Sequence, residues 1–452
     1  MWQIVPPIGL VQKILGEQKT KNTASYRLNS HCMCVKQPEG VLLYHTLTRE
    51  LLLLFHGEAE QLARLPGPVP PALAGLVPRW FLMPEDADDM ALADQVRDIV
   101  RRLRREDGAL TEYTIFTTTA CNARCFYCFE AGIKKAAMTE QTALNTAAYI
   151  AAHRGGKPVR VAWFGGEPLL NIRVIDIITD CLRQRDVEFR SSMSTNGYLF
   201  DEALARRVKD DWKMEMVQIT LDGTEEVYNA RKAYVHPEGS PYQRVLKNIG
   251  LLLDEGVRVQ VRLNMDGDNE GDLYALVDEL AERFAGKPNF GVYSMMLWEN
   301  TGFNPHQYTE EECYSYAEKL RSLRSYTEKK GIAVRGLLKR GFVADACSAD
   351  DDSFITVTPE GRLGRCAACK SGDIWGSVYS DERDEEVLRQ WKERKPPEAV
   401  CRTCVIYPQC IRLKKCPSWG ESCSPIKRAS REDRRRQAVL DAYEDWKAAG
   451  RP

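Results

Sequence analysis

The chain has 452 residues, enough for two or three domains of ordinary size. At 44% hydrophobic and 28% charged residues it can bury a sizeable core, which excludes a wholly disordered chain. Lys and Arg number 63 against 64 Asp and Glu, so no global basic field exists to grip nucleic acid or anionic lipid.

No apolar run approaches the roughly 18–20 residues of a membrane span. The first residues lack a basic stretch, are broken by Pro6 and Pro7, and do not read as a signal peptide. A cytoplasmic protein with no membrane and no nucleic-acid partner is expected. The 15 cysteines are the unusual number. In a reducing compartment they point to metal binding rather than disulfides.

Residues 1–108 read as a small α+β domain. Tyr26–Val35 and Val41–His45 look like strands around a turn at Pro38-Glu39-Gly40, and Leu51–Phe55 is a buried apolar run. A Pro/Ala-rich loop from Pro66 to Pro71 precedes a helix over Asp88–Arg105, acidic at its start and arginine-rich at its end.

Residues 109–335 alternate strands and helices. The strands are predicted at Tyr113–Thr118, Val159–Phe164, Glu188–Ser194, Met216–Leu221, Val257–Asn264 and Gly291–Leu297. The helices are predicted at Thr139–His153, Ile172–Arg183, Asp201–Lys209, Tyr242–Glu255, Glu270–Phe284 and Thr309–Lys330. The fold class is therefore α/β: a partial (β/α)6 TIM-type barrel with chemistry at the carboxyl ends of its strands. Residues 336–452 form a cysteine-rich third domain, in which Lys427–Gln437 is expected to be a solvated basic helix.

Directly after the first barrel strand, Cys121, Cys125 and Cys128 follow the pattern C-x3-C-x2-C. Three thiolates can hold three irons of a 4Fe–4S cube and leave the fourth iron open, whereas a structural zinc site wants four ligands. The loop resembles the signature of the radical S-adenosylmethionine (SAM) superfamily. The resemblance implies that the open iron chelates SAM and that reductive cleavage yields a 5′-deoxyadenosyl radical. It implies an adenine contact for Tyr127 and a SAM-ammonium contact for the segment Gly165, Gly166, Glu167 and Pro168. It further implies ribose or carboxylate contacts for Ser194 and Asn196, and a SAM-carboxylate contact for Arg231. Asn264, ending the fifth strand, is a weaker candidate. A flavodoxin or ferredoxin is implied as electron donor.

Cys347, Cys366, Cys369, Cys401, Cys404, Cys410, Cys416 and Cys423 crowd the last third of the chain. Gly361–Cys366 and the C-x2-C-x5-C run from Cys401 resemble the SPASM extension of radical SAM enzymes. That resemblance implies two auxiliary 4Fe–4S clusters, hence three in all. It assigns Cys401, Cys404, Cys410 and Cys423 to one, and Cys347, Cys366 and Cys416 to the other. Two departures stand out. The family spacing C-x3-C is here C-x5-C, from Cys410 to Cys416, and no cysteine follows Cys347 near Ser353 and Phe354. The second cluster then has either Cys369 as fourth ligand or an open iron. A zinc-ribbon reading of the C-x2-C pair is the alternative. Of the remaining cysteines, Cys181, Cys313, Cys32 and Cys34 are expected to pack in the core.

SPASM enzymes act mostly on peptides and proteins, so a precursor peptide with a leader sequence is the expected partner. The first 108 residues match the size of a winged-helix-like module that binds a leader by strand addition. The expected activity is radical maturation of that peptide to a crosslink, with a cysteine thioether first among the bonds. The alternatives are formylglycine formation on a sulfatase and a non-catalytic zinc-binding interaction protein.

Overall fold

The structure is a computed structural model. It describes all residues except 19–24, 105–107, 129, 298–308, 335–346, 369–370, 411, 417–422, 424 and 451–452. The amino-terminal region carries strands Trp2–Val5 (β1), Tyr26–Leu28 (β2), Cys32–Gln37 (β3), Gly40–His45 (β4), Leu51–Phe55 (β5) and Leu82–Pro84 (β6). Its helices are Gly9–Leu15 (α1), His56–Leu62 (α2) and Asp89–Arg104 (α3). An antiparallel sheet runs in the order β1-β5-β4-β3, and β2 pairs separately with β6. The single strand expected over Tyr26–Val35 is thus two. The Asn29 side-chain oxygen accepts the His31 amide at 2.9 Å, which turns the chain between the two sheets. Cys32 is buried there as expected, but Cys34, on the edge strand β3, is exposed.

The barrel strands are Glu112–Thr118 (β7), Val159–Gly165 (β8), Phe189–Thr195 (β9), Met214–Leu221 (β10), Arg258–Met265 (β11) and Phe290–Met296 (β12). They are parallel and adjacent in chain order. Helices Glu140–His153 (α4), Ile172–Gln184 (α5), Glu202–Asp211 (α6), Glu225–Lys232 (α7), Pro241–Asp254 (α8), Glu270–Phe284 (α9) and Glu310–Lys329 (α10) cover the outside. Period-2 alternation sorts the side chains. Val161, Trp163, Val217, Ile219, Val259 and Val261 belong to the core shared with the helices. Ser192, Ser194, Gln218, Gln260 and Arg262 occupy the opposite, half-buried face. Cys181 is buried on α5, whereas the Cys313 side chain lies outside the described residues.

The cysteine-rich region starts as an extension of this sheet. Phe354–Val357 (β13) pairs parallel with β7, and Arg362–Gly364 (β14), Gly376–Ser377 (β15) and Ser380–Arg383 (β16) continue it antiparallel. Two helices follow, Glu385–Lys392 (α11) and Pro425–Ala448 (α12). The basic stretch 427–437, expected to be a solvated helix, is helical within α12, but most of its described residues are half-buried and Ala429 is buried against Met296. Val439 and Tyr443 of α12 are buried against Leu42, Tyr44, Leu51 and Leu53 of the amino-terminal sheet. Their apolar stripe begins just beyond the basic run. Among the described residues no helix is long and apolar enough to cross a membrane.

Candidate active site

The loop after β7 is fixed by its neighbours' backbones. The Gly166 amide donates to Thr118 O at 3.0 Å and the Glu167 amide to Ala120 O at 2.9 Å. A Cβ on Gly165 would lie 2.1 Å from Thr118 O, and one on Gly166 would lie 2.3 Å from Ala120 O. Gly165 also adopts φ +123°, which side chains disfavour. The paired glycines therefore let the end of β8 lie directly on the cysteine loop. From the other side, the Arg124 amide donates to Lys232 O and the Val235 amide to Asn122 O, both at 2.8 Å.

Cys121, Cys125 and Cys128 are all half-buried on this loop. Burial pushes the Cys121 thiol up to about 11, and the Cys125 and Cys128 charges add to it. Among the described residues no three His, Cys, Asp or Glu side chains converge as a single ion would need. Thiolates of a 4Fe–4S cube each hold a different iron and need no such convergence. Three soft donors on one loop, close enough to feel one another's charge, suit that group. Glu130, two residues past Cys128, is a buried carboxyl pushed up to about 7 by burial; the sequence reading passed over it.

Glu167 is fully buried. Its carboxylate accepts the Thr195 hydroxyl at 2.8 Å, the Asn196 amide at 2.9 Å and the Leu169 amide at 3.1 Å. Burial outweighs these donors and pushes it up to about 7. The carboxylate thus braces the ends of β8 and β9. Pro168 is buried at the start of a short turn, and its carbonyl accepts the Thr117 hydroxyl at 3.0 Å. The brace sets Asn196, whose Nδ2 donates to Asn122 Oδ1 at 2.7 Å beside Cys121. Ser194 lies one pleat deeper, opposite Gln218.

Tyr127 belongs to a network the sequence showed only in part. Its hydroxyl donates to Asp222 Oδ2 at 2.6 Å and receives Lys232 Nζ at 2.6 Å. Lys232 and Asp222 also pair directly at 3.0 Å, both buried. Asn264 donates to Asp222 Oδ1 at 3.0 Å. Asp222 follows directly on β10, and its partner ten residues on closes α7, a helix with little apolar periodicity. Arg231 is ion-paired with Asp266 and lies 4.8 Å over the Phe126 ring. Its guanidinium is therefore already engaged. Arg262 faces the inner side of β11, with its Nε buried and unbonded among the described residues.

The later cysteines fall into two places. Cys401, Cys404, Cys410 and Cys423 line one cavity. Cys347, Cys366 and Cys416 pack around Ala349, Trp391 and Leu413. Cys369 lies outside the described residues. The amino-terminal region grips the first place. His31 stacks on Tyr407 at 5.5 Å, and Gln409 Nε2 donates to Thr46 O at 2.8 Å.

Residues 115–280 match the Radical SAM superfamily. The chain thus carries a radical SAM domain and is an enzyme. Its curated relatives include the GTP 3′,8-cyclase of Clostridium perfringens (strain SM101 / Type A). The two are 26% identical over 301 residues, which is 62% of this chain and 89% of the cyclase. Among solved structures, anSMEcpe with bound AdoMet and Cp18Cys peptide superposes with a TM-score of 0.56 at 14% identity, over 75% of this chain and 99% of that one. Streptococcus suis SuiB bound to the precursor peptide SuiA gives 0.52 at 13%, over 88% and 98%. These likenesses are likenesses of fold.

Proposed function

We propose that this enzyme is a radical SAM peptide maturase that crosslinks a ribosomally made precursor, with a cysteine thioether first among the bonds. The observation that carries the reading is the cysteine loop seated on the Gly165–Gly166 backbone at the barrel's carboxyl end, in a fold shared over 88% of the chain with a protein solved on its precursor peptide. Residues 109–335 would be the catalytic barrel, 336–452 the SPASM domain and 1–108 the peptide-recognition domain. The outer strand β3, an edge of its sheet among the described residues, would take up the leader.

Cys121, Cys125 and Cys128 would hold the SAM-binding 4Fe–4S cluster. When bound, cluster and SAM supply a 5′-deoxyadenosyl radical. The Tyr127 ring would lie against adenine, its hydroxyl anchored by Asp222 and Lys232. The Gly165–Gly166 backbone would face the methionyl end, and Glu167 and Pro168 would hold that backbone in place. Ser194 and Asn196 would orient the ribose and carboxylate, and Arg231 would have to exchange Asp266 for the SAM carboxylate. Cys401, Cys404, Cys410 and Cys423 would hold one auxiliary cluster. Cys347, Cys366, Cys416 and either Cys369 or an open iron would hold the other. A flavodoxin or ferredoxin would deliver the electron.

Anaerobic co-expression with a candidate precursor, followed by intact mass, tests the reading. Loss of two hydrogens per site with one fewer alkylatable thiol is the expected result. Unchanged peptide in cells where the enzyme releases 5′-deoxyadenosine would sink it. The anSMEcpe likeness favours a second reading, formylglycine formation, which would instead exchange the cysteine thiol for a carbonyl. The cyclase relatives make GTP the control substrate. Colourless, zinc-loaded protein without deoxyadenosine release would favour the zinc-binding alternative.

A further inference from the structure

Behind the cavity lined by Cys401, Cys404, Cys410 and Cys423, four guanidiniums crowd two carboxylates. Arg97 pairs with Asp94 at 3.0 Å and donates to Tyr407 O at 2.7 Å. Arg412 reaches Asp94 at 3.4 Å and the Tyr407 hydroxyl at 3.0 Å, and lies 4.5 Å over that ring. Arg101 and Arg394 share Asp350, the latter at 3.4 Å. Arg97 and Arg412 are buried, and so is Asp350. Four cations against two anions leave an excess of positive charge.

The hydrogen bonding is short in the same sense. Arg97 Nε, Arg101 Nε, and both Nε and Nη1 of Arg412 are buried without a partner among the described residues. Burial, then the charges of Arg97 and Arg101, pull Arg394 down to about 10. Arginine stays charged in proteins. Buried cations in excess of their counter-ions are costly unless an anion completes the site.

We propose that Arg97, Arg101, Arg394 and Arg412 form a guanidinium belt that neutralises an anionic tetrathiolate iron–sulfur cluster in this cavity and holds its reduction potential up. The inference rests on the cluster reading given above. A 4Fe–4S core with four thiolates is a dianion when oxidised and gains a further negative charge on reduction. Nearby positive charge and N–H donors therefore favour the reduced form. These arginines are positioning residues: they act through the thiolates and touch no substrate.

The test uses the full chain with Cys121, Cys125 and Cys128 replaced by Ala, so that only auxiliary iron contributes to the signal. Redox titration followed by electron paramagnetic resonance compares the parent, R412Q and R412K. The expected result is a lower potential in R412Q, with the reduced-to-oxidised ratio at fixed potential falling about tenfold, which is about 59 mV for one electron. R412K should stay near the parent. Iron loading in R412K but not in R412Q would also support the belt. A potential unmoved in R412Q, or equal loss of iron in both variants, would overturn it. A parent that binds no auxiliary iron at all would instead refute the underlying cluster reading.

Discussion

The two cysteine regions are held in opposite ways. Around Cys121–Cys128 the main buried charges are answered: Lys232 has Asp222 and the Tyr127 hydroxyl, Arg231 has Asp266, and the Glu167 carboxylate has three donors, while single atoms of Asn122, Glu130 and Arg231 stay without a partner among the described residues. Around Cys401–Cys410 they are not, and cations outnumber anions. A matched site keeps its shape by itself. An unmatched one depends on what fills it. The loop on which SAM chemistry would occur is thus preorganised by protein alone, while the later site is built around an expected charge.

The largest effect that separates the two comes from Lys232. In K232M the buried Asp222 carboxylate loses its cation, which costs about 3–5 kcal/mol when one partner of a buried pair is removed. Chemical denaturation of the iron-free chain should show it. A change below about 1 kcal/mol would mean the network is not matched as described.

Glu167 supplies the next effect. Its folded-state pKa, near 7, lies above the ordinary 4.5, so the fold favours the neutral carboxyl. That contribution is fully present below pH 4.5 and is lost as pH rises through 7. Over this window the wild type should lose about 3 kcal/mol of stability relative to E167Q. Parallel pH profiles for the two proteins would show that burial does not dominate this carboxyl.

A third effect is steric. The G166A methyl would meet Ala120 O at 2.3 Å, a backbone atom that can yield only by moving the cysteine loop. A loss of about 1–3 kcal/mol is expected, with reduced iron retention after reconstitution. Wild-type iron retention would show that the loop tolerates the shift.

Much of this was legible beforehand, for identifiable reasons. The six barrel strands announce themselves by alternation, and the structure has them parallel and in chain order. The loop cysteines and the Gly165–Gly166 pair are local patterns, so spacing reveals them. What the sequence hides is partnership at a distance. Nothing near Glu167 says that Thr195 will take its carboxylate. Nothing near Arg412 says that Arg97, more than 300 residues earlier, will crowd it. The short strands β13–β16 were missed because two to four residues carry too little periodicity to stand out. Arg231 shows the same limit of local reading. Its position in the sequence resembles that of an arginine meeting the SAM carboxylate, and the ion pair with Asp266 is a partnership no local pattern announces.

The smallest expected effect closes the comparison by reversing its sign. If the belt is unmatched without a cluster, deleting one of its cations should cost the iron-free chain little. R412Q loses a long contact to the half-exposed Asp94 and the stacking on Tyr407, but it relieves repulsion from Arg97 and leaves fewer orphaned N–H groups. These terms oppose one another, and the iron-free variant should stay within about 1 kcal/mol of wild type. The contrast with K232M is the point: removal of a cation is severe where the charge is answered by the protein and mild where it is not. A loss of 3 kcal/mol or more in iron-free R412Q, on the scale of a broken buried pair, would show that the protein already balances the belt, and the two regions would then be built alike.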